Sequence, residues 1–325
     1  MEQSKKELQE ASMIALRDCM GLQPEESLLI ITDEYKRDIG MALHEAGLSL
    51  CRESMLLEMK SREINGEEPP AAIAEMMKHV DVVVVPTRRS MTHTDARRNA
   101  AKLGVRVGTM PNINVDTMAR CLSADYDKII GLTNFIADKL EGVSTIRVTT
   151  EKGTDITMPV KDRMIIRSTG VLREKGQSGN LPSGEVFLAP WEDQTNGVVV
   201  VDGSMATLGM LEEPLTITVK DGYAVDIKGG HQAKQLEEAF DKAGPDARAV
   251  AEFGIGTNYK AILTGMILED EKVFGTIHIA FGNNLTMGGR ISVNLHVDGL
   301  VKEPDVYFDD LLVMKRGKMV AYDFE

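Results

Sequence analysis

The chain has 325 residues, of which 43% are hydrophobic and 27% charged, and its formal net charge is −13. This acidity argues against a nucleic-acid partner, because a phosphate backbone is bound by a basic face. No apolar run reaches the roughly 18–20 residues that a membrane helix needs, and the charged N-terminus is not typical of a signal peptide. Cys19, Cys51 and Cys121 are scattered without metal-type spacing and fit a reducing compartment, so we expect a cytoplasmic protein.

Alternating helices and strands are predicted for the first part of the chain. In chain order, the pattern predicts a helix ending near residue 20, a strand at 27–32, a helix at 35–46, a strand at 54–59, a helix at 69–77, a strand at 81–86, a helix at 94–103, a strand at 105–109, and helices at 115–122 and 127–140. Strands separated by helices at this spacing are typical of a parallel sheet with helices on its faces.

The pattern changes near residue 142. Strand pairs at 145–150 and 154–160, and at 215–220 and 224–228, each flank a short turn that contains a glycine. Only 231–243 has the pattern of a long helix in this half. We therefore predict an α/β domain with a parallel sheet over residues 1–143, followed by a mostly β domain with one inserted helix over residues 144–325.

A histidine and an aspartate lie two residues apart in ISVNLHVDGL, as His296 and Asp298. Residues i and i+2 of a strand point to the same side, so an imidazole and a carboxylate would project together. Such a pair suits a divalent cation. The alternative for this pair alone is an exposed strand face.

A second histidine, His278, lies in the apolar stretch FGTIHIAFG. A histidine in such a strand is either a hydrogen-bonded core residue or a ligand. Two inward histidines and one carboxylate form the triad of mononuclear iron oxygenases, whereas additional carboxylates would make a two-metal hydrolytic site.

Two glutamates are available as those carboxylates. Glu185 follows a Pro-Ser-Gly turn in NLPSGEVFLAP, and Glu252 precedes a glycine-rich segment in AEFGIGTN. Each, taken alone, is also compatible with a surface position. Gly254 and Gly256 do not continue into a dinucleotide-binding loop, because no third glycine and helix follow.

Together these segments resemble the motifs of the thermophilic metalloaminopeptidase family, of the aminopeptidase T and aminopeptidase S type (leucyl aminopeptidase-like). The resemblance covers most of the chain and includes PTRRSMTHTDARRNAAKLGVRVGTMP in the first domain. It implies that five residues bind metal: Glu185, Glu252, His278, His296 and Asp298.

The resemblance also implies an activity. Members remove N-terminal residues from peptides with a free N-terminus, use two divalent ions such as zinc, cobalt or manganese, and form homodimers. Two cations and three carboxylates would leave a net charge of about +1, which polarises a peptide carbonyl and lowers the pKa of a bridging water. Glu185 or Glu252 would be the bridge and the catalytic proton acceptor.

One departure concerns a tyrosine that family members carry shortly after the first histidine motif. Here the corresponding stretch, NNLTMGG, has Leu285 near that position. The change removes a donor to a developing oxyanion. Tyr259 and Tyr307 are candidate replacements, although each is more simply explained as an aromatic residue packed in a strand. His93, at a predicted helix start, is a candidate for a substrate-side role.

The same fold family includes a mononuclear Fe(II) enzyme, the 2,5-dihydroxypyridine dioxygenase type. Its ligands would correspond to His278, His296 and Asp298, and the glutamates would be dispensable. Because Glu185 and Glu252 are both retained, the sequence favours the dinuclear aminopeptidase over this ring-cleaving dioxygenase. An inactive metal-binding relative is the third alternative.

Overall fold

The computed structural model describes residues 2–320 and 322. Contacts divide the chain into two compact units. The first runs to Tyr126 and includes Ser168–Ser183, and the second contains Asp127–Arg167 and the described residues from Gly184 on. The chain thus interleaves between the units, whereas the sequence suggested a single boundary after residue 143.

The α-helices are, in chain order, α1 (Glu2–Met13, continued by a π-helical segment over Ile14–Cys19), α2 (Arg37–Leu50), α3 (Ala71–Met76, followed by a 3₁₀ turn over Met77–His79), α4 (Asp95–Lys102), α5 (Val115–Leu122), α6 (Tyr126–Leu140), α7 (Gly230–Ala243) and α8 (Ile267–Asp270). Further 3₁₀ turns cover Pro245–Arg248 and Leu285–Met287.

The strands are β1 (Ser27–Asp33), β2 (Glu53–Met59), β3 (Val82–Thr87), β4 (Arg106–Pro111), β5 (Thr145–Thr149), β6 (Asp155–Pro159), β7 (Ile166–Ser168), β8 (Ser178–Asn180), β9 (Glu185–Leu188), β10 (Asn196–Val201), β11 (Ser204–Met205), β12 (Gly209–Met210), β13 (Leu215–Lys220), β14 (Tyr223–Lys228), β15 (Val250–Gly256), β16 (Thr276–Gly282), β17 (His296–Lys302), β18 (Asp305–Phe308), β19 (Leu311–Lys315) and β20 (Lys318–Met319).

A five-stranded parallel sheet forms the centre of the first unit, in the order β2-β1-β3-β4-β8. Every residue of β3 is buried, which explains why Val82–Val85 form a continuous apolar, β-branched run rather than an alternating pattern. Helix α4 begins after Thr94, whose side chain accepts a hydrogen bond from the Arg97 backbone N–H, and Asn114 caps α5 in the same way. The predicted α/β class with a parallel sheet is confirmed.

The fifth strand of this sheet, β8, was not predicted. It has the sequence Ser-Gly-Asn and pairs in parallel with β4 over three residues. Small polar residues carry no strand signal, and the pairing joins segments roughly seventy positions apart in the sequence. Only tertiary packing defines this element.

Two antiparallel sheets form most of the second unit. One has the order β14-β13-β10-β6-β5-β18-β19-β20, and the other has the order β12-β11-β17-β16-β15-β9-β7. Alternate residues of β15 and β16, including Phe253, Ile277 and Ile279, belong to a core that also contains residues of the eight-stranded sheet, such as Val148 and Ile217. The predicted mostly β part with a long inserted helix, α7, is confirmed.

Among the residues that the structure describes, no helix combines the length and the apolar character needed to cross a lipid bilayer.

Phe253 tests the importance of this core. Its side chain is fully buried, so Phe253→Ala should lower the free energy of unfolding by about 3–5 kcal/mol. Leu311→Ala is the control, because Leu311 is 54% exposed and should change stability by less than about 1 kcal/mol. Urea unfolding of both variants measures the difference, and equal midpoints would contradict the assignment of Phe253 to the core.

Candidate metal centre

Four neighbouring strands of the seven-stranded sheet carry the five ligands expected from the sequence. Glu185 begins β9, Glu252 lies on β15, His278 on β16, and His296 and Asp298 on β17. The structure therefore brings together residues that are up to 113 positions apart, from 185 to 298.

The strand register places these side chains on one face of the sheet. Ala280 of β16 is paired with Glu252 on one side and with Asp298 on the other, and directly paired residues point to the same face. His278 lies two residues before Ala280 and shares that face. The opposite face of the same strands is apolar and belongs to the core. Period-two alternation thus separates the polar cluster from the hydrophobic interior.

The ligand atoms converge on Glu252. His278 Nε2 lies 3.2 Å from Glu252 Oε1, and His296 Nε2 lies 3.3 Å from Glu252 Oε2. His296 Nε2 is also 3.2 Å from Asp298 Oδ1, and His278 Nε2 is 3.6 Å from Glu185 Oε2. Two groups of three, Glu185–Glu252–His278 and Glu252–His296–Asp298, have ligand atoms within 4.8 Å of one another and share Glu252.

A glycine makes room for one imidazole. Gly254 is the strand partner of His278, and a Cβ at this position would lie 2.1 Å from His278 Nε2. Cβ atoms in proteins essentially never lie within 3.0 Å of such a non-bonded atom. The absence of a side chain at Gly254 is therefore needed for the His278 ring to point along the sheet face towards Glu252.

The two imidazoles differ in the hydrogen bonding of their Nδ1 atoms. His296 Nδ1 lies 2.8 Å from the backbone oxygen of Asn283, so Nδ1 carries the proton and donates it to that carbonyl. A ligating histidine is commonly oriented in this way, with its other nitrogen left for the metal. His278 Nδ1 is buried and has no hydrogen-bond partner among the described residues.

Lys272 and Glu271 belong to the cluster and were missed from the sequence. Lys272 Nζ lies 2.9 Å from Glu185 Oε1 and also contacts Glu271 Oε1, and the Lys272 side chain is completely buried. In the sequence they stand in LEDEKVF, a run of charges that reads as an exposed turn. No local signal distinguishes a buried lysine from a solvated one in such a run.

Burial and charge shift the pKa values of the carboxyl groups in opposite directions. Burial raises the pKa of Glu185, and the opposing effect of Lys272 is smaller. Burial also raises the pKa of Glu271 to about 8 against the effect of Lys272. Burial acts on Glu252 too, but the hydrogen bonds with His278 and His296 outweigh it and hold the pKa of Glu252 well below its usual range.

The basic groups bind protons more strongly than usual. Burial lowers the pKa of His278, but the hydrogen bond with Glu252 and the charges of the carboxylates outweigh this and raise it to about 9. The pKa of His296 is raised well above its usual value against burial, chiefly by Asp298 and Glu252. Burial likewise opposes the charge of Lys272, yet Glu185 and Glu271 raise its pKa.

This donor set fits a divalent cation. Imidazole nitrogens and carboxylate oxygens are ligands for zinc, iron and manganese. Glu271, whose pKa burial raises to about 8, is counted as protonated. The carboxylates of Glu185, Glu252 and Asp298 then carry three negative charges, and Lys272 balances one of them. One divalent ion would neutralise the remaining two while both imidazoles are neutral. Buried charges are tolerated when they are paired or bind metal, so the cluster has the composition of a metal site.

The other candidates lie elsewhere. His93 is exposed, directly before the Thr94 cap of α4 in the first unit, and its backbone oxygen accepts a hydrogen bond from Arg98. Tyr307 lies on β18 of the eight-stranded sheet, paired with Arg147, whereas the five candidate ligands lie on the seven-stranded sheet. Leu285 is 49% exposed in the 3₁₀ turn after β16.

The fold and the cluster define a protein that combines a parallel-sheet α/β unit with an antiparallel unit carrying potential metal-binding carboxylate and histidine groups. A family model described as NicX: 2,5-dihydroxypyridine 5,6-dioxygenase matches residues 13–321. The chain therefore belongs to the NicX family.

Individual relatives include two kinds of enzyme. The 2,5-dihydroxypyridine 5,6-dioxygenase of Pseudomonas putida is 25% identical over 244 residues, which cover 71% of this chain and 69% of the relative. Aminopeptidase T of Thermus aquaticus is 29% identical over 196 residues, covering 52% of this chain and 47% of the relative.

Solved structures show the same fold. The 2,5-dihydroxypyridine dioxygenase of Pseudomonas putida has a TM-score of 0.84 at 20% identity, covering 98% of this chain and 99% of the other. Wild-type AmpT of Thermus thermophilus has a TM-score of 0.70 at 17% identity, covering 98% and 100%.

These findings correct the expected reaction. The sequence led us to expect a metalloaminopeptidase, a hydrolase, and this prediction is wrong, because the family match and the Pseudomonas relative indicate a dioxygenase. Aminopeptidase relatives do exist at modest identity, so the resemblance was correct at the level of shared ancestry. The two glutamates are present in this NicX-family chain, so their presence did not distinguish a hydrolase from a dioxygenase.

Gly254→Ala should weaken metal binding, because the new Cβ would displace the His278 ring from Glu252. We expect the affinity for Mn²⁺ to fall by about 10- to 100-fold. Gly179→Ala is the matched control, since the nearest side-chain atom to its Cβ would be 3.4 Å away. Equilibrium dialysis of both variants gives the comparison, and unchanged affinity in Gly254→Ala would contradict the geometry.

Metal binding should release protons near neutral pH. His278 has a pKa of about 9 without metal, so it must lose a proton before Nε2 can bind an ion. The apparent affinity should rise with pH up to about 9, by roughly tenfold per pH unit for each proton released. Calorimetric titration in buffers of different ionisation enthalpy measures that release at pH 7, and its absence would contradict the protonated imidazoles.

The same groups make the stability of the metal-free protein depend on pH. A pKa raised on folding stabilises the protein below the unfolded pKa, and this contribution disappears as the pH rises through the folded value. For His278 that window extends from its ordinary value of 6.5 to about 9. The metal-free protein should therefore lose stability across it in urea unfolding, and His278→Gln should reduce the slope. A stability that rises with pH in this window would contradict the prediction.

Proposed function

We propose that this chain is a mononuclear Fe(II)-dependent dioxygenase that opens a dihydroxylated nitrogen heteroaromatic ring, with 2,5-dihydroxypyridine as the reference substrate. The observation that carries the proposal is the family match over residues 13–321. Identity of 25% with the Pseudomonas putida enzyme over most of both chains supports it.

The donor chemistry agrees with this reading. We assign His278, His296 and Asp298 as ligands of the ion, with Glu252 between the two imidazoles. Two histidines and one carboxylate with open coordination positions are the typical site of non-haem Fe(II) oxygenases. When bound, such an ion supplies the chemistry that brings a hydroxylated ring and dioxygen together.

Glu252 and Asn283 orient the imidazoles. Glu252 faces Nε2 of His278 and of His296 at 3.2 and 3.3 Å with different oxygens, so one carboxylate fixes the directions of both rings. The Asn283 carbonyl holds the proton of His296 on Nδ1. Both contacts fix the ring orientations with Nε2 of each histidine towards Glu252, which reduces the reorganisation needed during the reaction.

Burial defines the side from which a substrate would enter. The side chains of Glu252 and Asp298 are 8% exposed and that of His278 is fully buried, whereas His296 is 21% exposed. We infer that the substrate reaches the cluster beside His296. The buried side excludes water from the reacting groups, which protects an oxygen-sensitive site from side reactions.

The proposed reaction has a fixed stoichiometry. The bond between ring positions 5 and 6 breaks, as the family description states for its members, and both atoms of one dioxygen molecule enter the product. The ring supplies the electrons, so no external reductant is consumed. An oxygen electrode combined with the ultraviolet absorbance of the pyridine should therefore record one dioxygen per ring opened.

The proposed ring opening is tested on protein loaded anaerobically with Fe(II). We expect oxygen uptake with 2,5-dihydroxypyridine and none with 2-hydroxypyridine, which lacks the second hydroxyl group. His296→Ala and Asp298→Ala should each lower the rate by at least about a hundredfold. Tyr307→Phe is the control and should keep the rate, because Tyr307 lies on the other sheet. Iron-loaded protein that consumes no oxygen with any dihydroxypyridine would contradict the proposal.

A further inference from the structure

The most unusual charge of the second unit is the buried ammonium of Lys272. Its side chain has no exposed surface, and Nζ lies between Glu185 Oε1, at 2.9 Å, and Glu271 Oε1. The two carboxylates are 7% and 13% exposed. Lysine is almost never fully buried without a partner, and here it has two, one of which belongs to the candidate metal cluster.

A second glycine, Gly256, allows the backbone near Lys272 to approach the end of β15 closely. Gly256 is the strand partner of Glu185, and a Cβ on Gly256 would lie 2.2 Å from the backbone oxygen of Val273. The absence of a side chain lets the segment after Lys272 run against the end of β15, where Asn258 N donates to the Lys272 oxygen at 2.9 Å. The main chain at Lys272 is thus held against β15, and the ammonium itself is held by the carboxylates of Glu185 and Glu271.

Glu185 is consequently different from the other candidate ligands. One of its oxygens is bonded to the ammonium, and the other is 3.6 Å from His278 Nε2. Glu252, in contrast, is close to both imidazoles with its two oxygens. The group Glu252–His296–Asp298 has no contact with Lys272 among the described ion pairs. Among the described ion pairs, Lys272 therefore contacts the cluster only at Glu185 and the neighbouring Glu271.

We propose, resting on the mononuclear function above, that Lys272 acts as a built-in cation which neutralises Glu185 and limits the site to one divalent ion. Glu252 and Asp298 then balance the two charges of a single ion, held with His278 and His296. A second ion would have to bind Glu185 beside a fixed ammonium, and like charges repel strongly where water is excluded. Lys272 is a positioning residue, because it acts through Glu185.

The number of bound ions tests this directly. Mn²⁺ is titrated into the metal-free protein, its stoichiometry is measured by equilibrium dialysis with elemental analysis, and its electron paramagnetic resonance shows whether two ions are coupled. The wild type should bind one isolated Mn²⁺ per chain. Lys272→Met, which keeps the volume and removes the charge, should bind a second Mn²⁺ and give a coupled spectrum.

The matched control is Lys152→Met. Lys152 Nζ lies 2.7 Å from Asp202, whose side chain is 3% exposed, so this variant also removes an ammonium from a buried carboxylate, but outside the cluster. It should still bind one ion. A wild type that binds two ions, or a folded Lys272→Met that binds only one, overturns the proposal.

Glu185→Gln keeps the test decisive if Lys272→Met does not fold. If Lys272 neutralises Glu185, this variant should bind one Mn²⁺ with an affinity within about tenfold of the wild type. Loss of Mn²⁺ binding would instead make Glu185 an essential ligand and overturn the proposal. Oxygen uptake is measured separately, so a wild type that binds one ion but opens no ring would refute the proposed function and leave the role of Lys272 intact.

Discussion

The antiparallel register of β15, β16 and β17 is the constraint on which the rest of the second unit depends. Because side chains alternate along a strand, the same three segments supply apolar residues to the core and candidate metal-binding residues to the opposite face. Phe253 and Ile279 lie on one side, and Glu252, His278 and Asp298 on the other. A one-residue slip of register would exchange the two sets, so core packing and site geometry specify each other.

Charge balance is the second constraint, and it links the site to its chemistry. A buried group of carboxylates is stable only when protons, cations or metal compensate it. Protons on His278 and His296 do this in the absence of metal, as their raised pKa values indicate, and Lys272 does it permanently for Glu185. Metal and protons therefore compete for the same imidazoles, whereas the lysine is fixed. In such a site, the number of ions that can bind depends on which carboxylates are already neutralised by other positive charges.

The fold class and the residues that cluster could be predicted from the sequence, but the surroundings of those residues could not. His296 and Asp298 were identifiable because strand periodicity is local, and the family motifs added the remaining positions. The Ser-Gly-Asn strand β8 and the buried Lys272 had no local signal, since both depend on segments distant in sequence. The expected hydrolysis was wrong because the motifs of the candidate site resemble those of two enzyme classes, and the family match over most of the chain favours the dioxygenase. The predicted homodimer remains a prediction.

We propose that this scaffold performs an oxygenation. The most direct measurement is mass spectrometry of the ring-opened product after turnover of the Fe(II)-loaded protein with 2,5-dihydroxypyridine under isotopically labelled dioxygen. We expect two labelled oxygen atoms to enter each product molecule, and none to enter from labelled water before exchange. A product whose new oxygen atoms come from water, or the absence of any ring-opened product from iron-loaded protein, would contradict it.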